Sequence, residues 1–386
     1  MGKRPLTIIH TESHRSWGGQ EIRVITECLW MKKKGHRAIL IASKKSQIYP
    51  KAKAAGLDVL PMSFTNLTAL GDLIRLRGWL KSYAPDVLNT HGNMDAKVGL
   101  LAAAGLKVPC VIRSRHHSHP VTPSWYNKLL YRKLSDYIFT SAQCISDQIV
   151  NDLAVDPSKV VTVSSGFVPP GKMISKPDAM HRLQKEFDLD PDTRFIGSVA
   201  MLSEWKGHRF LIDAFKAICG QFPHHHLMIV GDGAQMQALI ERARDHGLAD
   251  RIHFAGFRED PWPFFRAFDI NILASTKNEA TSQVLPQAMY AGCPVIGTWA
   301  GGIPEVIDHG NTGYLVEPAD SVALARAMQM ILKDPASAAE LAMRAQKMAS
   351  ENYTMTVMVD RILDQYQKRF SLADGQRTIG PLSKAG

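Results

Sequence analysis

The 386-residue sequence predicts an α/β protein built from two Rossmann-like, doubly wound domains that face each other across a cleft. Its length favours two domains over one. Short apolar, β-rich runs alternate with segments of helical period, the pattern of parallel sheets covered by helices. After a polar, proline-rich stretch the same alternation starts again.

In the first half, strands are expected at 6–10, 38–42, 87–90, 110–113, 137–140 and 160–163. Amphipathic helices are expected over 20–34, 67–83 and 125–134. Residues 166–192 read as the connection, with a short helix inside it, so the domains are expected at 1–170 and 171–351. The second half offers strands at 195–200, 226–230, 252–254, 270–273, 294–297 and 314–316, with helices over 209–219, 234–245 and 321–332. A helix at about 352–370 is expected to pack back on the first domain. The Gly-, Ser-, Lys- and Pro-containing segment 371–386 is expected to be a disordered tail.

Apolar content of 45% and charged content of 21% are ordinary for a globular enzyme. No apolar run is long enough to span a membrane, and the N-terminal apolar stretch is too short for a signal peptide. The five cysteines are scattered without a C-x-x-C pair, which argues against a disulfide framework or zinc site and fits a reducing cytoplasm. The net charge of +10 is one-sided: residues 1–165 hold 23 Lys/Arg against 11 Asp/Glu, and the remainder 23 against 25. An anionic partner for the first half is therefore expected. Nothing resembles a nucleic-acid-binding motif, so nucleic acid is not expected. The aromatic and basic residues of Trp125-Tyr126-Asn127-Lys128-Leu129-Leu130-Tyr131-Arg132-Lys133 suit an anionic membrane surface, with peripheral attachment at the inner face of the cytoplasmic membrane.

Open parallel sheets bind ligands beyond the carboxyl ends of their strands, so the loops there carry the chemistry. Trp17-Gly18-Gly19-Gln20-Glu21 follows the first strand, where glycines let backbone N–H groups approach an anion. It is not the G-x-G-x-x-G dinucleotide fingerprint. Ser203-Glu204-Trp205-Lys206-Gly207-His208 follows the first strand of the second half and places a lysine where it can reach a diphosphate. Asn278-Glu279-Ala280-Thr281-Ser282-Gln283 leads into a helix that Thr281 or Ser282 is expected to cap. Glu279 can accept hydrogen bonds from sugar hydroxyls. Thr90-His91-Gly92-Asn93-Met94-Asp95 and Arg113-Ser114-Arg115-His116-His117-Ser118-His119 end two strands of the first half.

The order K-G-H, E-A-T-S-Q-V-L-P-Q-A-M-Y-A-G-C-P-V-I, G-G-I-P-E-V-I and N-T-G-Y-L-V-E-P-A-D resembles the family 4 glycosyltransferases, most closely over about 195–335. The resemblance implies a GT-B fold, nucleotide-sugar donors without a metal or other cofactor, and transfer with retention. It also implies a glycan or lipid-linked acceptor, and several members build lipopolysaccharide or capsule. By the same resemblance, Lys206 contacts the donor diphosphate and Glu279 the donor sugar. Ala280, Thr281 and Ser282 present backbone N–H groups, and Gly18 and Gly19 match the N-terminal glycine loop. Gln287 stands where the second glutamate of the family's E-x7-E motif binds ribose. Met201 stands near the family's arginine, and Arg209 is a candidate substitute. His116, with His117 next, matches the cleft histidine, while His91 and Asp95 are candidates for holding the acceptor. The departing phosphate can take the acceptor proton, so His116 is an active-site residue rather than a required base. A GT-B sugar-nucleotide epimerase and a non-catalytic sugar-nucleotide-binding protein are the alternatives.

Overall fold

A computed structural model describes residues 4–116, 118–277 and 279–378. The chain forms two compact units, Met1–Gly166 with Met355–Gly386, and Phe167–Thr354. In the first unit a seven-stranded sheet comprises β1 (Thr7–Glu12), β2 (Arg37–Ala42), β3 (Asp58–Pro61), β4 (Val87–Thr90), β5 (Cys110–Arg115), β6 (Tyr137–Thr140) and β7 (Val160–Thr162). Their spatial order is β3-β2-β1-β4-β5-β6-β7, with every pair parallel. In the second unit β8 (Arg194–Val199), β9 (His225–Val230), β10 (Ile252–Gly256), β11 (Phe268–Ile272), β12 (Val295–Thr298) and β13 (Tyr314–Val316) form a six-stranded parallel sheet ordered β10-β9-β8-β11-β12-β13. The strand order reverses direction at β1/β4 and at β8/β11, and such switch points are where open sheets of this kind hold ligands.

The central strands β1, β4, β5, β8 and β12 are almost wholly buried. Ile270 and Ile272 face one core of the second unit, as the two-residue period of a strand requires, whereas a register shift between Phe268 and Ile270 turns Phe268 to the other core. The helix Lys176–Glu186 belongs to that unit. Ser175 caps it by accepting from the Asp178 N–H, and Ala179 and Leu183 are fully buried with Phe167 in the core. The stretch 166–192 is therefore a packed part of the second unit rather than a free connection. The junctions fall at Gly166/Phe167 and Thr354/Met355 instead of 170/171 and 351/352.

The last helix, Met355–Thr378, belongs to the first unit. Met355, Met358, Val359, Ile362, Leu363 and Tyr366 recur at helical spacing and join the core of β1, β2 and β5. The Tyr366 ring stacks on Phe139 with centroids 6.2 Å apart. The helix continues eight residues past 370, so a tail beginning at 371 is corrected to one no earlier than 379; residues 379–386 lie outside the described residues. Strand β3 was absent from the sequence expectation, because Asp58 and Pro61 break its apolar pattern. As an edge strand it tolerates both.

Candidate active site

In the second unit, the chain leaving β8 makes a short turn, Glu204–Lys206, before the helix His208–Ile218. Gly207 joins them at φ +70°, and a Cβ there would lie 2.0 Å from the Ala274 carbonyl oxygen. Only glycine lets the loop after β8 approach the loop after β11 this closely. The Thr276 N–H donates to the Trp205 carbonyl at 2.7 Å and fastens the two loops.

This approach brings together the two donor-site candidates of the second unit. Lys206 Nζ lies 2.6 Å from Glu279 Oε2 and 4.2 Å from the centre of the Trp205 ring. The same oxygen accepts from Ser275 Oγ at 2.7 Å, and the Ser275 carbonyl accepts from Thr298 Oγ1 at 2.5 Å. The Glu279 carbonyl accepts from the Gly302 N–H at 3.0 Å. Gly301, at φ +54°, lets the glycine-rich turn run within 2.0 Å of that oxygen, measured from where a Cβ would stand. Glu279 is thus fixed at both ends, by a cation and hydroxyl at its side chain and by the turn at its backbone.

Ala280, Thr281 and Ser282 continue from Glu279 toward the helix Val284–Tyr290. Neither Thr281 nor Ser282 is its cap. Gln283 occupies the N-cap position in an already helical conformation, with no side-chain cap hydrogen bond, so the expected capping role is corrected. The backbone N–H groups of Ala280 and Ser282 make no hydrogen bond among the described residues. Gln287 is half-buried in the first turn of that helix. Met201 is exposed, and Arg209 turns toward Glu204 at 4.0 Å and over the Phe210 ring at 4.6 Å. Buried His208 lacks a hydrogen-bond partner at either ring nitrogen, and burial, aided by the Lys206 charge, lowers it to about 4.

In the first unit the candidates gather at the ends of β1, β4 and β5. The register that aligns these strands lines up three imidazoles. His10 Nδ1 lies 2.9 Å from His91 Nε2, and His91 Nδ1 lies 2.9 Å from His116 Nε2, with neighbouring rings within 15° of coplanar. Burial lowers His10 to about 3 and holds His91 well below its ordinary value, so both rings are neutral. Asp95 Oδ2 accepts from Thr11 Oγ1 at 2.7 Å and from the His91 N–H at 3.0 Å. Asp95 thus fixes the backbone at His91. His117 lies outside the described residues.

Gly18 is the extended N-cap of the helix Gly19–Lys33, and a Cβ on Gly19 would meet nothing within 4 Å. Beside this turn sits a group that the sequence reading missed. Glu12, at the end of β1, accepts from Gln20 Nε2 at 2.6 Å and from the His14 N–H at 2.8 Å. Burial, reinforced by the Asp95 carboxylate, raises Glu12 to about 7. Glu12, His14 and Glu21 each offer a potential ligand atom, all within 4.8 Å of one another. The group is assembled by the turn after β1, so no regular motif spacing marks it in the sequence.

The comparisons with known proteins agree with this architecture. Residues 180–348 match the model described as "Glycosyl transferases group 1", and residues 17–169 match "Glycosyltransferase Family 4". The chain is 28% identical over 225 residues to N-acetyl-alpha-D-glucosaminyl L-malate synthase of Bacillus anthracis, covering 58% of this chain and 57% of that protein. It is 26% identical over 236 residues to the lipopolysaccharide core biosynthesis glycosyltransferase LpsE of Rhizobium meliloti (strain 1021), covering 61% and 65%. The chain thus spans less than two thirds of the length of either relative. In fold it is similar to a glycosyltransferase from Rickettsia africae ESF-5, with a TM-score of 0.84 at 19% identity, covering 95% and 99%. It is also similar to Anabaena Alr3699/HepE in complex with UDP, with a TM-score of 0.82 at 20% identity, covering 94% and 100%. Two parallel Rossmann-like sheets of this order define a GT-B protein. The chain belongs to the family 4 glycosyltransferases.

Proposed function

We propose that the protein transfers a sugar, with retention at the anomeric carbon, from a nucleotide sugar to a glycan or lipid-linked acceptor in bacterial cell-surface polysaccharide or lipopolysaccharide synthesis. The observation that carries this reading is the Lys206–Glu279 contact, held by Ser275 at the switch point of the second sheet. Lys206 supplies positive charge for the diphosphate as it departs, and fixed charges aimed at developing charge are the largest single contribution in many enzymes. Glu279 accepts hydrogen bonds from sugar hydroxyls. The unpaired N–H groups of Ala280 and Ser282 add donors for the sugar and phosphate, and Gln287 offers an amide oxygen to the ribose. Gly18 and Gly19 keep the N-terminus of the first helix open to an anion. His116, positioned through His91, serves the reacting sugar, and the departing phosphate takes the acceptor proton. A protein of the same fold at 21% identity is seen with UDP-glucose, which supports a nucleotide-sugar donor. No metal is assigned a role in this reading.

Peripheral attachment to anionic lipid is part of the proposal. No helix among the described residues is long and apolar enough to cross a membrane. Trp125 is 77% exposed, whereas Leu130 and Tyr131 of the same helix are buried. A second exposed apolar stripe, Leu67, Leu70 and Ile74, runs along the start of the helix Ala69–Tyr83. Vesicle co-sedimentation across a salt series tests attachment: binding needs anionic lipid and weakens with salt. Equal binding to neutral vesicles contradicts it. NMR analysis of the product tests the reaction, since a retained glycosidic linkage is expected, and an epimerised nucleotide sugar or no product overturns it.

A further inference from the structure

A cavity of about 230 Å³ in the first unit is lined by Asn93 and Lys97, by Arg113 and Arg115 of β5, and by Asn127 and Tyr131. Three of the described lining residues are cationic and none is acidic. Arg113 is 2% exposed and Arg115 is 6% exposed. The hydrogen-bond partners of both guanidiniums among the described residues are neutral. Arg113 donates to the carbonyls of Thr90 at 3.2 Å, His91 at 2.9 Å and Ser114 at 2.7 Å, and to Asn93 Oδ1 at 3.3 Å. Arg115 donates to the His119 carbonyl and is hydrogen-bonded to the Tyr131 phenol, and its Nε has no hydrogen-bond partner among the described residues.

Burying a guanidinium costs several kcal/mol unless a counter-charge offsets it. Two side by side with neutral partners leave the wall strongly positive. Tyr131 reports that field: burial pushes its phenol up, yet Arg113 and Arg115 outweigh burial and the net shift is downward. The helix Asn93–Ala103 also turns its N-terminal residues Asn93 and Ala96 to the cavity, adding the positive end of its dipole. An arginine fork with an unused N–H matches a tetrahedral oxyanion.

We propose that this cavity binds a phosphate group carried by the acceptor, with Arg115 and Lys97 as its main contacts and Arg113 as the buried charge behind them. The proposal rests on the transferase reading only in calling the ligand an acceptor. The cavity is lined by residues of the first unit, and the Lys206–Glu279 pair belongs to the second.

Calorimetry on the full chain at fixed ionic strength tests it, with glycerol 3-phosphate, glycerol, succinate and UDP as probes. Glycerol 3-phosphate is expected to bind and glycerol not. Arg115→Gln is expected to weaken glycerol 3-phosphate at least tenfold and leave UDP unchanged, while Lys206→Ala does the reverse. If Arg115→Gln does not fold, Lys97→Gln is the substitute, with at least threefold weakening expected. Vesicles containing phosphatidic acid separate the sources: binding lost with Arg115→Gln marks a lipid headgroup, and binding kept marks a soluble phosphate. Absent glycerol 3-phosphate binding, unchanged affinity in the variant, or equally tight succinate binding overturns the proposal. Failure of UDP alone counts against the donor reading and leaves the cavity assignment standing.

Discussion

Lys206 and Glu279 lie 73 residues apart in sequence, and their side chains meet with Nζ and Oε2 at 2.6 Å. The contact joins the loop after β8 to the loop after β11, and both side chains are nearly buried. In the proposed reading Lys206 therefore has two duties: it neutralises Glu279 in the free protein and meets an incoming diphosphate.

The two duties separate by mutation. Lys206→Ala leaves the Glu279 carboxylate without its cation, and removing one partner of a buried pair costs about 3–5 kcal/mol. Lys206→Ala combined with Glu279→Gln removes the stranded charge, so urea unfolding is expected to show the double variant more stable than the single one. Transfer stays lost in both, by about 2.7–4 kcal/mol of transition-state stabilisation for the lysine. Near-normal turnover in Lys206→Ala would sink the donor-site assignment.

Glu12 makes stability depend on pH. Its folded value of about 7 lies above the ordinary 4.5, because burial and Asp95 both disfavour the charge. The protonated carboxyl contributes stability that is complete below pH 4.5 and lost as pH rises through about 7. Glu12→Gln does not titrate, so it gains on the wild type by roughly 1–3 kcal/mol between pH 5 and pH 8. Denaturation at both pH values checks this, and an equal difference at the two contradicts it.

The hydrogen-bond direction of the imidazole chain is set by the tautomers of His10 and His91. His10 Nε2 is buried without a hydrogen-bond partner. A buried orphan N–H is rarer than an under-satisfied acceptor, so His10 is expected to carry its proton on Nδ1 and donate to His91. His91 in turn donates from Nδ1 to His116. Nitrogen-15 NMR should show both rings as neutral Nδ1–H tautomers from pH 5 to 8. His91→Asn is expected to lower transfer by up to about 100-fold through misplacement of His116, with donor affinity little changed. Nε2–H tautomers would reverse the chain.

Much of the fold is legible in the sequence, because strands buried on both faces leave apolar runs between helical segments. The central strands show this best, as β4 was placed at its observed bounds. What escaped depends on packing. Lys176–Glu186 is polar enough to read as a linker, and Ala179 and Leu183, with half-buried Met180, tie it to the core. Among site residues, the K-G-H and E-A-T-S motifs expose Lys206 and Glu279. Glu12 and Ser275 stand in no motif. Their roles come from neighbours distant in sequence, such as Asp95 beside Glu12, or from a loop geometry that no spacing encodes.

The C-terminal helix is expected to hold the first unit together. Ile362 is fully buried in that unit's core, and Ile362→Ala is expected to cost about 2–5 kcal/mol. Proteolysis during unfolding should release first-unit fragments before second-unit ones. Loss below about 0.5 kcal/mol, the range of surface substitutions, would show the helix to be a loosely held appendage.

The Lys206–Glu279 site is proposed to hold a nucleotide sugar without a metal. Titration calorimetry with a panel of UDP-, GDP- and ADP-sugars in EDTA tests it most directly. At least one sugar nucleotide is expected to bind the wild-type chain, and Lys206→Ala is expected to weaken it by roughly 100-fold or more, the scale of one lost charge-assisted contact. Binding that needs Mg²⁺ or Mn²⁺, equal binding in the variant, or no binding by any member of the panel would contradict the account.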